Sequence, residues 1–205
     1  MAQAIDHAEK LYGKPKPKFV PQVRIEGRPV DGVESKGHLY LVYRNEDGKE
    51  VAISARPKDY GTSTALISNL MVEVIPINES IDARGTDTPK QRGSIVLSSG
   101  EDAKNLWINM AKTAKEITES NIDYDVLGPN SNSAIQFILN EANIKPEENI
   151  PNVKGLDHGL GLNKFPSPYK LVRDENGKIR DISSIEYPNP FNPPPEHLRR
   201  LPQFN

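Results

Sequence analysis

Gly37-His38-Leu39-Tyr40-Leu41-Val42-Tyr43-Arg44-Asn45-Glu46-Asp47-Gly48-Lys49-Glu50-Val51-Ala52-Ile53-Ser54-Ala55-Arg56-Pro57 holds two runs rich in β-branched and aromatic residues on either side of a polar turn. Asp-Gly between such runs is a strong hairpin signal, because these residues tolerate the positive φ of a tight turn. Strands are expected over residues 38 to 44 and 49 to 56. A two-residue turn at Asp47-Gly48 sets His38 opposite Pro57 and Tyr40 opposite Ala55, and a four-residue loop keeps the same faces. His38, Tyr40, Val42, Val51, Ile53 and Ala55 then share one side, with Leu39, Leu41, Tyr43, Ala52, Ser54 and Arg56 on the other. Both sides are largely apolar, so the hairpin belongs at the centre of a sheet covered on both faces.

Outward from the hairpin, Leu70 to Pro76 reads as a third strand and Ser94 to Leu97 as a fourth, with a short edge strand at Val23 to Glu26 before a turn at Gly27-Arg28-Pro29. Asn78 to Arg92 is polar and irregular and reads as an exposed loop. Ser98-Ser99-Gly100-Glu101 opens a helix to about Glu119, with Ala103, Leu106, Trp107, Met110, Ala114 and Ile117 on one face. Gly128-Pro129 ends what precedes it. Ile135, Ile138, Leu139 and Ala142 then recur at helical spacing, giving a second helix from about Ser133 to Asn143. A last hairpin is expected at Pro168 to Val172 and Lys178 to Ile182, around Asp174-Glu175-Asn176-Gly177. The pattern describes one α+β domain, an antiparallel sheet of four to six strands with two main helices, over residues 35 to 185. Residues 1 to 34 supply a short helix (2 to 12) and the extended linker KPKPKFVP, and residues 186 to 205 a proline-rich tail.

Composition narrows the function classes. The 205 residues carry a net charge of −2 with both signs interspersed, which offers no general attraction to nucleic acid. No apolar run reaches the roughly 20 residues that span a bilayer, so no integral membrane span is expected. With no cysteine, disulfides and thiolate ligands are excluded. His7, His38, His158 and His197 are scattered without metal-ligand spacing, so neither a metal nor a cofactor is expected.

Two residues stand out chemically. Ser131 lies in Asn130-Ser131-Asn132-Ser133 at a helix start, where unpaired N–H groups and the positive dipole end favour an anionic nucleophile or an oxyanion. The same segment also reads as ordinary capping, since Ser133 followed by Gln136 matches a capping box. His38 begins a strand on a face that is otherwise buried. It serves there either as a hydrogen-bonded structural residue or as a general base, with an unperturbed pKa near neutrality.

An early strand histidine in a hairpin, further strands and a helix, then Tyr124-Asp125-Val126-Leu127-Gly128-Pro129-Asn130-Ser131-Asn132-Ser133 at a helix start resembles the circularly permuted papain-like hydrolases. These include the NlpC-type peptidases and the lecithin-retinol acyltransferase-like enzymes. The resemblance covers residues 35 to 145 and implies a permuted papain-like fold in which His38 matches the base and Ser131 stands at the cysteine position. It further implies oxyanion donors among the first-turn amides around Asn132, and a carbonyl-positioning role for Asn130. A third, orienting residue is expected on the neighbouring strand, pointing to Ser54, or in the glycine-rich loop 155 to 163, pointing to Asp157 or His158.

The implied activity is a hydrolase or acyl-transfer reaction on an amide or ester, with a peptide, peptidoglycan or lipid-ester substrate. The alternative is a catalytically inactive papain-like module of a bacterial secreted or contact-delivered protein, binding a protein partner. Such a chain is cytoplasmic as synthesised and exported, if at all, without a signal peptide. Serine where the family uses a thiolate fits a serine-using hydrolase, an inactive descendant, or a chain in which serine has replaced the cysteine.

Overall fold

The computed structural model describes residues 18–30, 33–65, 68–83, 93–124, 130–144 and 171–181. The helix expected over residues 2 to 12, the glycine-rich loop 155 to 163 and the proline-rich tail lie outside the described residues. Five strands, β1 (Gln22–Val30), β2 (Val33–Arg44), β3 (Glu50–Pro57), β4 (Leu70–Pro76) and β5 (Gly93–Ser99), form one antiparallel sheet in the order β4-β3-β2-β1-β5. Helices α1 (Glu101–Glu119) and α2 (Ser131–Glu141) pack on it, and β6 (Leu171–Arg173) pairs with β7 (Ile179–Asp181) as a separate hairpin. The protein is α+β, and among the described residues the sheet has five strands, within the expected four to six, with the two main helices.

β1 departs from expectation. It is an interior strand between β2 and β5, and it runs straight through Gly27-Arg28-Pro29, where a turn was expected. Pairing with β2 through Pro29, and with β5 as far as Gly27, overrides the turn tendency of Gly and Pro, and Pro29 lies beside an irregularity in the register with β2, the place where a missing N–H is tolerated. The sheet therefore begins at Gln22, before residue 35.

The central hairpin also differs, by one residue. β2 and β3 pair Leu41 with Ile53 and Val42 with Ala52. The loop is three residues, Glu46-Asp47-Gly48, closed by Asn45 N–H to the Lys49 carbonyl at 2.9 Å. Gly48 N–H donates to the Asn45 carbonyl at 3.0 Å, and the Asn45 side chain accepts from the amides of Asp47 and Lys49 at 3.0 and 2.9 Å. This is a turn followed by a left-handed glycine, with Gly48 at φ 78°. An odd loop moves the pairing by one residue and exchanges the faces of β3. Leu39, Leu41 and Tyr43 therefore share a face with Val51, Ile53 and Ala55, while His38, Tyr40 and Val42 lie with Ala52 and Ser54.

The first of these faces is the main core. Val23, Ile25, Leu41, Ile53, Leu70 and Val72 meet Met110, Ala114 and Ile117 of α1 and Ile135, Ile138 and Leu139 of α2. Burying each of the large aliphatic side chains contributes on the order of 1.5–3 kcal/mol, which docks both helices on one side. Trp107, expected as core, stacks on Tyr43 with ring centroids 5.6 Å apart. Thr118 Oγ1 accepts from the Val72 amide at 2.8 Å and donates to its carbonyl at 3.0 Å, fastening α1 to the edge strand β4. Beyond α1 the chain runs back along that edge, with Leu70 N–H donating to Ile122 O and Tyr124 N–H to Ser68 O.

A Cβ on Gly48 would come within 2.6 Å of the Phe19 ring, which lies under the Arg44 guanidinium. Gly48→Ala is expected to lower stability by about 1–2 kcal/mol, the cost of a left-handed non-glycine residue. Chemical denaturation checks this, and an unchanged midpoint would contradict it.

Candidate functional site

Asn130 is the N-cap of α2, with extended φ −130° and ψ −174°, and its side-chain oxygen accepts from the amides of Asn132 and Ser133 at 3.0 and 3.2 Å. The helix thus starts at Ser131, two residues before the expected start, and Ser133 is a buried first-turn residue rather than the cap. Asparagine caps as well as serine does, and the earlier cap lets the buried Ser133 face the interior. Ser131 becomes the first helical residue, with Asn132 Oδ1 accepting the Leu39 amide at 2.9 Å.

Ser131 and His38, the two residues singled out from the sequence, meet. His38 Nδ1 lies 3.1 Å from Ser131 Oγ. The other ring nitrogen, Nε2, lies 3.1 Å from Oδ2 of Asp82. His38 is buried and its ring lies 6.3 Å, centroid to centroid, from that of Tyr40 on the same face.

Asp82 belongs to the segment expected as an exposed loop, yet it is 0% exposed. The chain leaves β4 at Pro76, makes one 3-10 turn (Ile77–Glu79), and folds the following residues onto the His38 face of the sheet. The Asp82 amide donates to Ser80 Oγ at 2.8 Å, which shapes that turn. Three neighbouring strands then each supply one donor to its carboxylate. Arg28 of β1, directly opposite His38, donates from Nε to Oδ1 at 2.8 Å, and a second guanidinium nitrogen donates to the Ile81 carbonyl at 3.3 Å. Ser54 of β3 donates to Oδ2 at 2.5 Å, and His38 of β2 completes the set.

Burial alone raises the Asp82 pKa. The hydrogen bond and charge of His38, with the hydrogen bonds of Ser54 and Arg28, together outweigh it and hold the carboxyl below its ordinary value. An ionised Asp82 accepts the Nε2 proton of His38 and so leaves Nδ1 as the acceptor that faces Ser131 Oγ.

Of the residues expected in third position, Ser54 lies on the His38 face after all and reaches the dyad through Asp82. Asp157 and His158 lie outside the described residues. The Asn132 amide, expected as an oxyanion donor, and the Asn130 side chain, expected to hold a carbonyl, are engaged with each other. Asp82 and Arg28 were missed. The only sequence signal for them was an aspartate beside the apolar Ile81 in an otherwise polar stretch, and an arginine in register with a strand histidine once β1 is extended.

Among the described residues no group of three or more His, Cys, Asp or Glu could hold a metal ion, and no helix is long and apolar enough to cross a membrane. No protein-family model, curated protein or solved structure matches the chain.

Removing the Asp82 carboxylate takes away the acceptor that the Arg28 guanidinium, His38 and Ser54 share, so Asp82→Ala is expected to destabilise the fold by about 3 kcal/mol. The wild-type carboxyl, with its pKa depressed in the fold, contributes stability above the unfolded value of about 4 and loses it as pH falls through the lower folded value. Equilibrium denaturation from pH 7 downward therefore shows a larger acid-side loss in the wild type than in Asp82→Asn. Parallel pH curves for the two would refute the assignment.

Proposed function

We propose that this protein is a hydrolase or acyl-transfer enzyme acting on an amide or ester, with Ser131 as nucleophile, His38 as general base and Asp82 as the group that orients His38. The observation that carries this reading is a single imidazole held at 3.1 Å from a helix-start serine hydroxyl by one nitrogen and at 3.1 Å from a buried carboxylate by the other. Three functional groups in series is the arrangement that activates a hydroxyl whose own pKa is far too high for attack at neutral pH. Both ring nitrogens of His38 engage side chains, one a hydroxyl and the other a carboxylate.

The reaction runs in two halves. His38 Nδ1 takes the Ser131 hydroxyl proton as Oγ bonds to the substrate carbonyl carbon, and the imidazolium so formed is stabilised by Asp82 across Nε2. The carbonyl π electrons move to oxygen. Asn130 occupies the Asn132 and Ser133 amides, so the oxyanion role falls to the Ser131 amide, among the N–H groups that a helix start leaves without an intrahelical acceptor. Collapse breaks the bond to the leaving amine or alcohol, which departs with the proton from His38 and leaves an ester on Ser131. Water or an acceptor hydroxyl or amine, deprotonated by His38, then attacks that ester and returns the proton to Ser131 Oγ. The papain-like resemblance is consistent with this order of residues, and peptide, peptidoglycan and lipid-ester substrates all satisfy the same chemistry.

A fluorophosphonate probe is expected to label the wild-type chain, and Ser131→Ala and His38→Ala to abolish labelling. Asp82→Asn keeps the shape but favours the wrong imidazole tautomer, and is expected to slow labelling by about 10⁴-fold. Silence of the wild type, with a Ser131→Cys variant equally inert to a thiol-directed probe, would reject the enzyme in favour of an inactive binding module.

A further inference from the structure

We propose that Asn132 is a positioning residue that sets the distance between Ser131 and His38 by pinning the first turn of α2 to β2; the inference rests on the serine–histidine reading above. Asn132 Oδ1 accepts the Leu39 amide at 2.9 Å. The two residues it joins are the chain neighbours of the two that must react. One peptide unit separates 132 from 131 and one separates 39 from 38, about 3.8 Å between Cα atoms in each case. A shift at the pin therefore passes to the 3.1 Å gap between Ser131 Oγ and His38 Nδ1 with little slack.

The sheet explains why a side chain is needed at this point. Pairing between β2 and β3 runs from Arg44 with Glu50 to Leu41 with Ile53 and stops there. Leu39 is buried, so its amide needs an acceptor, and beyond the last paired residue the Asn132 carboxamide supplies one. The helix start is held from the other side as well, because Asn130 Oδ1 accepts the Asn132 amide at 3.0 Å. The backbone of residue 132 is tied to its own cap while its side chain is tied to β2, and Ser131 lies between the two attachments. Among the described residues the Ser131 hydroxyl has His38 as its hydrogen-bond partner, so its placement depends on this backbone fixation.

Asparagine suits the role. Its carboxamide is a neutral acceptor on a short stem, long enough to leave the helix and too short to leave much play. The role differs from that of an oxyanion donor, since the group at work is an acceptor facing away from the reacting carbonyl. It predicts a loss in the chemical step with binding untouched.

The test uses the full chain, Asn132→Ala and Asn132→Asp, with labelling by the fluorophosphonate followed against probe concentration and Leu39 amide exchange followed by NMR. Asn132→Ala is expected to label about 10²-fold more slowly, as a displacement of about 1 Å does, at an unchanged half-saturating concentration, and with faster exchange at Leu39. Asn132→Asp retains the acceptor and is expected to recover both. Asn132→Ala labelling at the wild-type rate overturns the proposal while leaving the nucleophile assignment intact, as does a slow Asn132→Asp whose Leu39 amide is protected. If Asn132→Ala does not fold, the aspartate variant alone decides by the same two readouts. A wild type that never labels rejects the nucleophile assignment and with it the catalytic role of the pin; the exchange of Leu39 in Asn132→Ala then shows separately whether the pin exists.

Discussion

A carboxylate with no exposed surface persists as an anion only where donors converge on it, and Asp82 is such a group. Its oxygens receive Arg28, His38 and Ser54 from three adjacent strands. Each donor is delivered by a register: β1 with β2 sets Arg28 beside His38, and β2 with β3 sets Ser54 on their face. A slip of one residue in either pairing would turn a donor to the opposite side of the sheet and leave the carboxylate short of partners. The sheet and the buried charge thus specify each other, and the segment after β4 is held down by what Asp82 finds beneath it.

The same face carries a second polar cluster in which Tyr40 donates to Glu26 at 2.9 Å and Arg24 bridges Glu26 and Glu50 at 2.9 and 2.7 Å. The helix-packed face is almost wholly apolar. One face of the sheet supplies cohesion and the other supplies polar networks, and His38 lies at the end of the polar one, where a ring nitrogen can reach the start of α2. A serine at that start gains the helix-end field. A hydroxyl needs more help than a thiol, and a base oriented by an ionised carboxylate is the form of help the proposed mechanism uses.

Element types were legible in the sequence because they depend on local periodicity and punctuation. β4 and α1 run over the expected residues, whereas β2 begins at Val33, five residues before the expected start at His38, and α2 at Ser131, two before the expected Ser133. The faces of the hairpin were not legible, because Asn45-Glu46-Asp47-Gly48 accommodates even and odd loops alike, and the choice rests on how the Asn45 side chain bonds within the turn. Arg28 was hidden by a Gly-Arg-Pro that reads as a turn until β2 pairs along it. Asp82 was hidden because a polar, irregular stretch looks exposed unless one knows which donors lie under it.

The sequence by itself determined that an α+β fold with a central antiparallel sheet would form, with a histidine on one of its strands and a serine at the start of a helix. Hydrophobic period and turn chemistry act over a few residues, so they are written locally. Only the tertiary structure decided that His38, Ser131 and Asp82 form one series, that Ser54 supports it through the aspartate, and that the flanking asparagines hold the serine in place. Those outcomes depend on strand register and on the desolvation of a charge, which arise from contacts between residues as many as 93 positions apart.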